Sequence, residues 1–73
     1  MKRSKKAIWK VNYTQEFGKG KEIEYTDNKK GNNDLALFLN DLRGTLLNQT
    51  LTATKNPCSD VIIWSAEKIC ELD

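Results

Sequence analysis

The sequence predicts a small α+β domain of order ββαββ, an antiparallel sheet with one helix packed on one face. Three observations lead there. Only residues 34–47 repeat their apolar side chains at helical spacing, two segments before them alternate with a period of two, and the segments after them are rich in β-branched residues. Seventy-three residues suffice for one domain with a modest core, and the chain divides into a basic flexible arm, 1–6, and a folded unit, 7–73.

Residues 7–17 are expected to form the first strand. Trp9, Val11 and Tyr13 alternate with Lys10, Asn12 and Thr14, and Phe17 rejoins the apolar phase after Gln15. The Gly18-Lys19-Gly20 run supplies residues free to take positive φ, suited to a tight connection into a second strand over 22–27, where Ile23 and Tyr25 share a face. Residues 27–33, Asp-Asn-Lys-Lys-Gly-Asn-Asn, are turn-formers and read as a loop.

In the helix, Leu35, Phe38, Leu39, Leu42 and Leu46 fall at i, i+3, i+4, i+7 and i+11, one apolar stripe. Asn33 or Asp34 is placed to cap its first turn, and the stripe carries it through Leu47 in spite of Gly44. A short strand over 50–54, a turn over 55–60 containing Pro57, and a strongly β-branched run at 61–64 follow. Residues 65–72 fit a strand better than a helix, with Lys68 the one residue out of phase and a bulge as the remedy.

On this reading Trp9, Val11, Tyr13, Ile23, Tyr25, Leu51, Ile62 and Trp64 face the helix. The opposite sheet face then holds Ile8, Val61, Ile63 and Ile69, too apolar for an idle surface, and with Lys10 they are the expected partner-binding residues.

Composition narrows the chemistry. There is no histidine, so a serine or cysteine nucleophile has no imidazole base, and two cysteines without histidine are too few for a four-ligand zinc site. Cys58 and Cys70 are expected as free thiols. The carboxylate pairs Glu22/Glu24 and Asp34/Asp41 read as solvated charges, and Gly18-Lys19-Gly20-Lys21 lacks the spacing of a phosphate loop. No catalytic, cofactor-binding or metal-binding residue is nominated, and the chain is expected not to be an enzyme.

Charge is unevenly spread. Residues 1–30 carry nine basic and four acidic side chains, residues 31–73 three and six. No apolar run approaches the roughly 20 residues of a membrane span, and the three uncharged residues before Lys10 are no signal-peptide core. A soluble, cytoplasmic protein is expected.

The function expected from these features is a small binding or inhibitory protein that occludes a protein partner, with homodimer formation through exposed strands. Phage and mobile-element inhibitors of host systems share this style. The alternative is a nucleic-acid-binding domain using Lys2, Arg3, Lys5, Lys6, Lys19 and Lys21 on phosphate.

Overall fold

A computed structural model of the chain describes residues 5–72. The element order is β1 (Lys6–Glu16), β2 (Glu22–Asn32), α1 (Leu35–Leu47), β3 (Thr50–Leu51), β4 (Asn56–Pro57) and β5 (Asp60–Leu72). The α+β class and the ββαββ order are as the sequence predicts, with β3 and β4 forming a two-residue ladder of their own beside the main sheet. That sheet has three antiparallel strands in the order β2-β1-β5. The first strand is therefore central, and the last returns along its other edge.

β1 and β2 form one uninterrupted hairpin, from Glu16 opposite Glu22 to Lys6 opposite Asn32. Gly18 and Gly20, at φ 76° and 77°, turn the chain between them. β2 runs five residues beyond the expected boundary, because the turn-formers at 28–32 find paired backbone and specific neighbours. Asp27 accepts a hydrogen bond from the Tyr13 hydroxyl at 2.9 Å, and Lys29 lies over the Tyr13 ring. The last residues of the expected arm are also in the ladder: Lys6 opens β1, and the Lys5 carbonyl accepts from the Asn33 amide at 3.0 Å. Tertiary pairing overrides local propensity at both ends.

The helix begins where capping chemistry places it. Asp34 is the N-cap, its Oδ1 accepting from the amides of Ala36 and Leu37 at 3.0 and 3.3 Å. Phe38, Leu42 and Leu46 are buried, and Leu39 and Leu47 pack partly against the core. Leu35 opens the expected stripe but stands exposed, one residue after the cap and beyond the reach of the sheet.

The helix lies along β1 in the same direction. Near its start the Phe38 ring stacks on Trp9 with centroids 5.0 Å apart; near its end the Leu46 carbonyl accepts from Gln15 Nε2 at 3.0 Å. Ala7, Trp9, Val11, Tyr13 and Gln15 all face it, every second residue of β1, and all are buried. Gln15 is the polar member of that row, held by Leu46 and by Gln49 Oε1 at 3.0 Å.

β5 departs from simple alternation twice. Its register against β1 shifts between Ile8 and Trp9 and between Asn12 and Tyr13, leaving Trp64 and Ile69 as extra residues on the β5 side. Val61 and Ile63, opposite Gln15 and Tyr13, therefore lie on the helix side, and Ile62, opposite Thr14, lies on the other. This reverses the expected facing of Val61, Ile62, Ile63 and Trp64.

Candidate functional site

The helix leaves one face of the sheet uncovered, and the registers place its residues in rows across β2, β1 and β5. From one end to the other these are Asn32-Lys6-Leu72, Lys30-Ile8-Cys70, Asn28-Lys10-Glu67, Thr26-Asn12-Ser65, Glu24-Thr14-Ile62 and Glu22-Glu16-Asp60. Lysines gather toward one end and acids toward the other, with a band of hydroxyl, amide and aromatic groups between them.

The middle band is fully connected. Thr26 Oγ1 donates to Asn12 Oδ1 at 2.8 Å, and Asn12 Nδ2 donates to Ser65 Oγ at 2.7 Å, so one side-chain chain crosses all three strands. Beside it Trp64 Nε1 donates to Thr14 Oγ1 at 2.8 Å. The bulge is what makes this geometry: Trp64 and Ser65, adjacent in sequence, both reach groups of the uncovered face, which alternating backbone would forbid. Trp64 remains 64% exposed in spite of that bond, with Ile62 across the same strand also exposed. A shallow depression of about 290 Å³ lies beside it, bordered by Asn12, Glu24 and Thr26.

The acidic end is electrostatically crowded. Glu16, half-buried, stands between Glu22 on β2 and Asp60 on β5. Partial desolvation first, then repulsion from these two carboxylates, lifts its pKa above the usual glutamate range. Asp60 is partly compensated by Arg43, whose Nη2 lies 3.3 Å away. On the helix side, burial and the bond to Asp27 raise the pKa of the Tyr13 hydroxyl far above that of a free phenol, keeping it a neutral donor.

Of the expected partner-binding residues, Ile8 and Lys10 do share the uncovered face, and Ile69 is exposed at the second bulge. Val61 and Ile63 do not. Val61 is 1% exposed and belongs to the core, and Ile63 packs against it, because the phase of β5 is the reverse of the one expected. The residues missed are Ile62 and Trp64. A run of four apolar residues has no alternation to fix its phase, and the available sign was Lys68, out of phase in the sequence and lying over the Trp9 ring in the structure.

The lysines of the nucleic-acid alternative do not converge. Lys5 and Lys6 sit at one end of β1 and Lys19 and Lys21 in the turn at the other, roughly 33 Å apart at the rise of a strand. Lys2 and Arg3 lie outside the described residues. Cys58 is buried and Cys70 exposed, both free thiols. Among the described residues no helix is long and apolar enough to cross a membrane, and no cluster of acids and cysteines is placed to hold a metal ion. Comparison with protein-family models, curated protein sequences and solved structures found no match to the chain.

Proposed function

We propose that this chain is a small binding protein that docks a protein partner on its uncovered sheet face and acts by covering the partner's surface. The supporting observation is Trp64. A short chain has little apolar surface to spare for its core, yet this one keeps one of its two tryptophans 64% exposed and fixes the indole with a hydrogen bond to Thr14. An exposed aromatic anchor, already ordered and ringed by polar groups, matches the chemistry of interface hot spots, where tryptophan is enriched and little ordering entropy remains to be lost on binding.

Ile62 extends the apolar contact along β5, and the lysines and acids at the two ends of the face orient the partner. The mode of action is occlusion, as in an inhibitor.

The test is site-specific photo-cross-linking in cells of the protein's source. A benzophenone side chain at Glu67, on the uncovered face, is expected to give a protein adduct of defined mass that is lost when Trp64 is replaced by alanine. The same group at Asn40, on the exposed side of the helix, is expected to give none. Adducts that form equally at both positions, or that survive Trp64→Ala, overturn the proposal. So does oligonucleotide binding that falls steeply with salt and ignores Trp64, which is the signature of phosphate recognition by the lysines.

A further inference from the structure

The two outer edges of the sheet are not alike. The hairpin bonds fix which groups of β2 point outward. Phe17 N donates to Lys21 O at 2.7 Å and Asn33 N to Lys5 O at 3.0 Å, so the odd-numbered residues of this ladder exchange hydrogen bonds with β1. The even-numbered residues Glu22, Glu24, Thr26, Asn28 and Lys30 therefore turn their backbone N–H and C=O groups to the open edge. By the same alternation Val61 points its carbonyl away from β1, and Arg43 Nη1 donates to it. With two bulges as well, the β5 edge is obstructed in the ways that keep edges from pairing. The β2 edge is eleven residues long, without bulge or proline.

Its charges are ordered. Reading Glu22-Ile-Glu-Tyr-Thr-Asp-Asn-Lys-Lys30, the acids lead and the lysines follow. Such a strand repels a parallel copy and complements an antiparallel one, which is the self-complementarity a two-fold interface requires. Any register centred on a residue of β2 keeps the same faces together and brings outward groups to outward groups, and three of them pair nine or more of its eleven residues. The one centred on Asp27 sets that carboxylate against its own copy. The one centred on Asn28 sets Asp27 opposite Lys29 but leaves Glu22 outside the ladder. The one centred on Thr26 sets Glu22 opposite Lys30 twice, Glu24 opposite Asn28, and Tyr25 opposite Asp27, so the charges at both ends of the strand are paired.

We propose that the chain forms a two-fold homodimer by antiparallel pairing of β2 with β2 of a second copy, with Thr26 on the axis and Glu22 facing Lys30. The product is a continuous six-stranded sheet with both helices on one face. Both Trp64 side chains then lie on the other face, so the dimer presents two copies of the uncovered surface. The pairing uses the outer backbone edge of β2, two strands from the β5 that carries Trp64, and does not rest on the function proposed above.

The experiment is sedimentation equilibrium together with cysteine cross-linking in a Cys70→Ser background. Unmodified protein is expected to sediment as a dimer. Glu22→Lys, which sets lysine against lysine and relieves the crowding at Glu16, is expected to weaken the dimer about tenfold or more while the monomer stays folded. The double variant Glu22→Lys/Lys30→Glu is expected to restore it. Under mild oxidation Thr26→Cys is expected to link two copies, because Cα atoms opposite each other in a ladder lie within disulfide reach, whereas Asn28→Cys is displaced from its own copy by about 13 Å and is expected not to link. A monomer at all concentrations overturns the proposal. A dimer that Trp64→Ala disperses and Glu22→Lys does not, or one in which Thr26→Cys fails to link, overturns it equally.

Discussion

A Cβ added to Gly31 would fall 2.3 Å from Cδ1 of Phe38. The missing side chain of β2 is the space in which the Phe38 ring lies, and that ring is buried to 2% and stacked on Trp9. The carbonyl of Asn32, the next residue, accepts from the Trp9 indole at 2.9 Å, so backbone and ring are both held in place.

Gly31→Ala is therefore expected to destabilise the fold by about 1–3 kcal/mol, the usual cost of overpacking a filled site. Phe38→Ala is expected to cost about 3–5 kcal/mol. Because the two residues share one space, adding Gly31→Ala to Phe38→Ala should cost much less than it does alone. A double-mutant cycle by urea unfolding checks this, and strict additivity would remove the steric explanation.

Gln15 is buried to 2% in a row of apolar residues, and its amide group links β1 to the end of the helix through the Leu46 carbonyl and Gln49 Oε1. Gln15→Met keeps the length of the side chain and removes the donor. A loss of about 1–3 kcal/mol is expected, the cost of stranding buried acceptors. Hydrogen exchange should rise first at the Asn48 and Gln49 amides, which bond within the last turn of the helix. Unchanged stability would mean that water replaces the lost donor.

These two relationships show what the sequence reveals and what it conceals. A cap at Asn33 or Asp34, the 18–20 turn and the alternation of Trp9, Val11 and Tyr13 are local signals, and all three are found, the cap at Asp34. Gln15 was legible in outline, since it sits in the apolar phase of β1. Gly31 was not, because the ring that requires it lies seven residues on and meets it only after the helix has folded back. The facing of β5 was concealed for a different reason: residues 61–64 are apolar on both faces, and two inserted residues reset the phase that the rest of the strand suggests. Ile8 and Lys10 thus lie on the uncovered face as the alternation of β1 predicts, whereas Val61 and Ile63 turn to the helix side.

The crowding at Glu16 makes stability depend on pH with a definite sign. Its pKa in the folded chain is raised, so between the ordinary glutamate value, about 4.3, and that raised value the native state holds more protons than the unfolded one. Glu16 thus makes no difference at low pH, and it lowers stability progressively as pH rises through this window, with the deficit retained above it. Glu16→Gln is expected to raise Tm at neutral pH and to leave it unchanged near pH 3. A stabilisation that persists at low pH would point to something other than charge.

At Thr14 and Trp64, stability and binding are expected to separate. Thr14 is buried to 4% and its hydroxyl accepts the indole N–H, whereas Trp64 itself is largely in water. Thr14→Val removes the acceptor, and solvent can satisfy the freed indole, so the change in stability is expected to stay within about 1 kcal/mol. The indole should nevertheless gain rotamer freedom, seen as a reduced heteronuclear NOE at Trp64 Nε1 while Trp9 Nε1, fixed to the Asn32 carbonyl, is unaffected. If the ordered indole is what a partner meets, Thr14→Val should weaken cross-linking from Glu67 without unfolding the chain, and Trp64→Ala should abolish it at a similarly small cost in stability. Retained cross-linking with a mobile indole would show that the ordering of Trp64 is incidental to recognition.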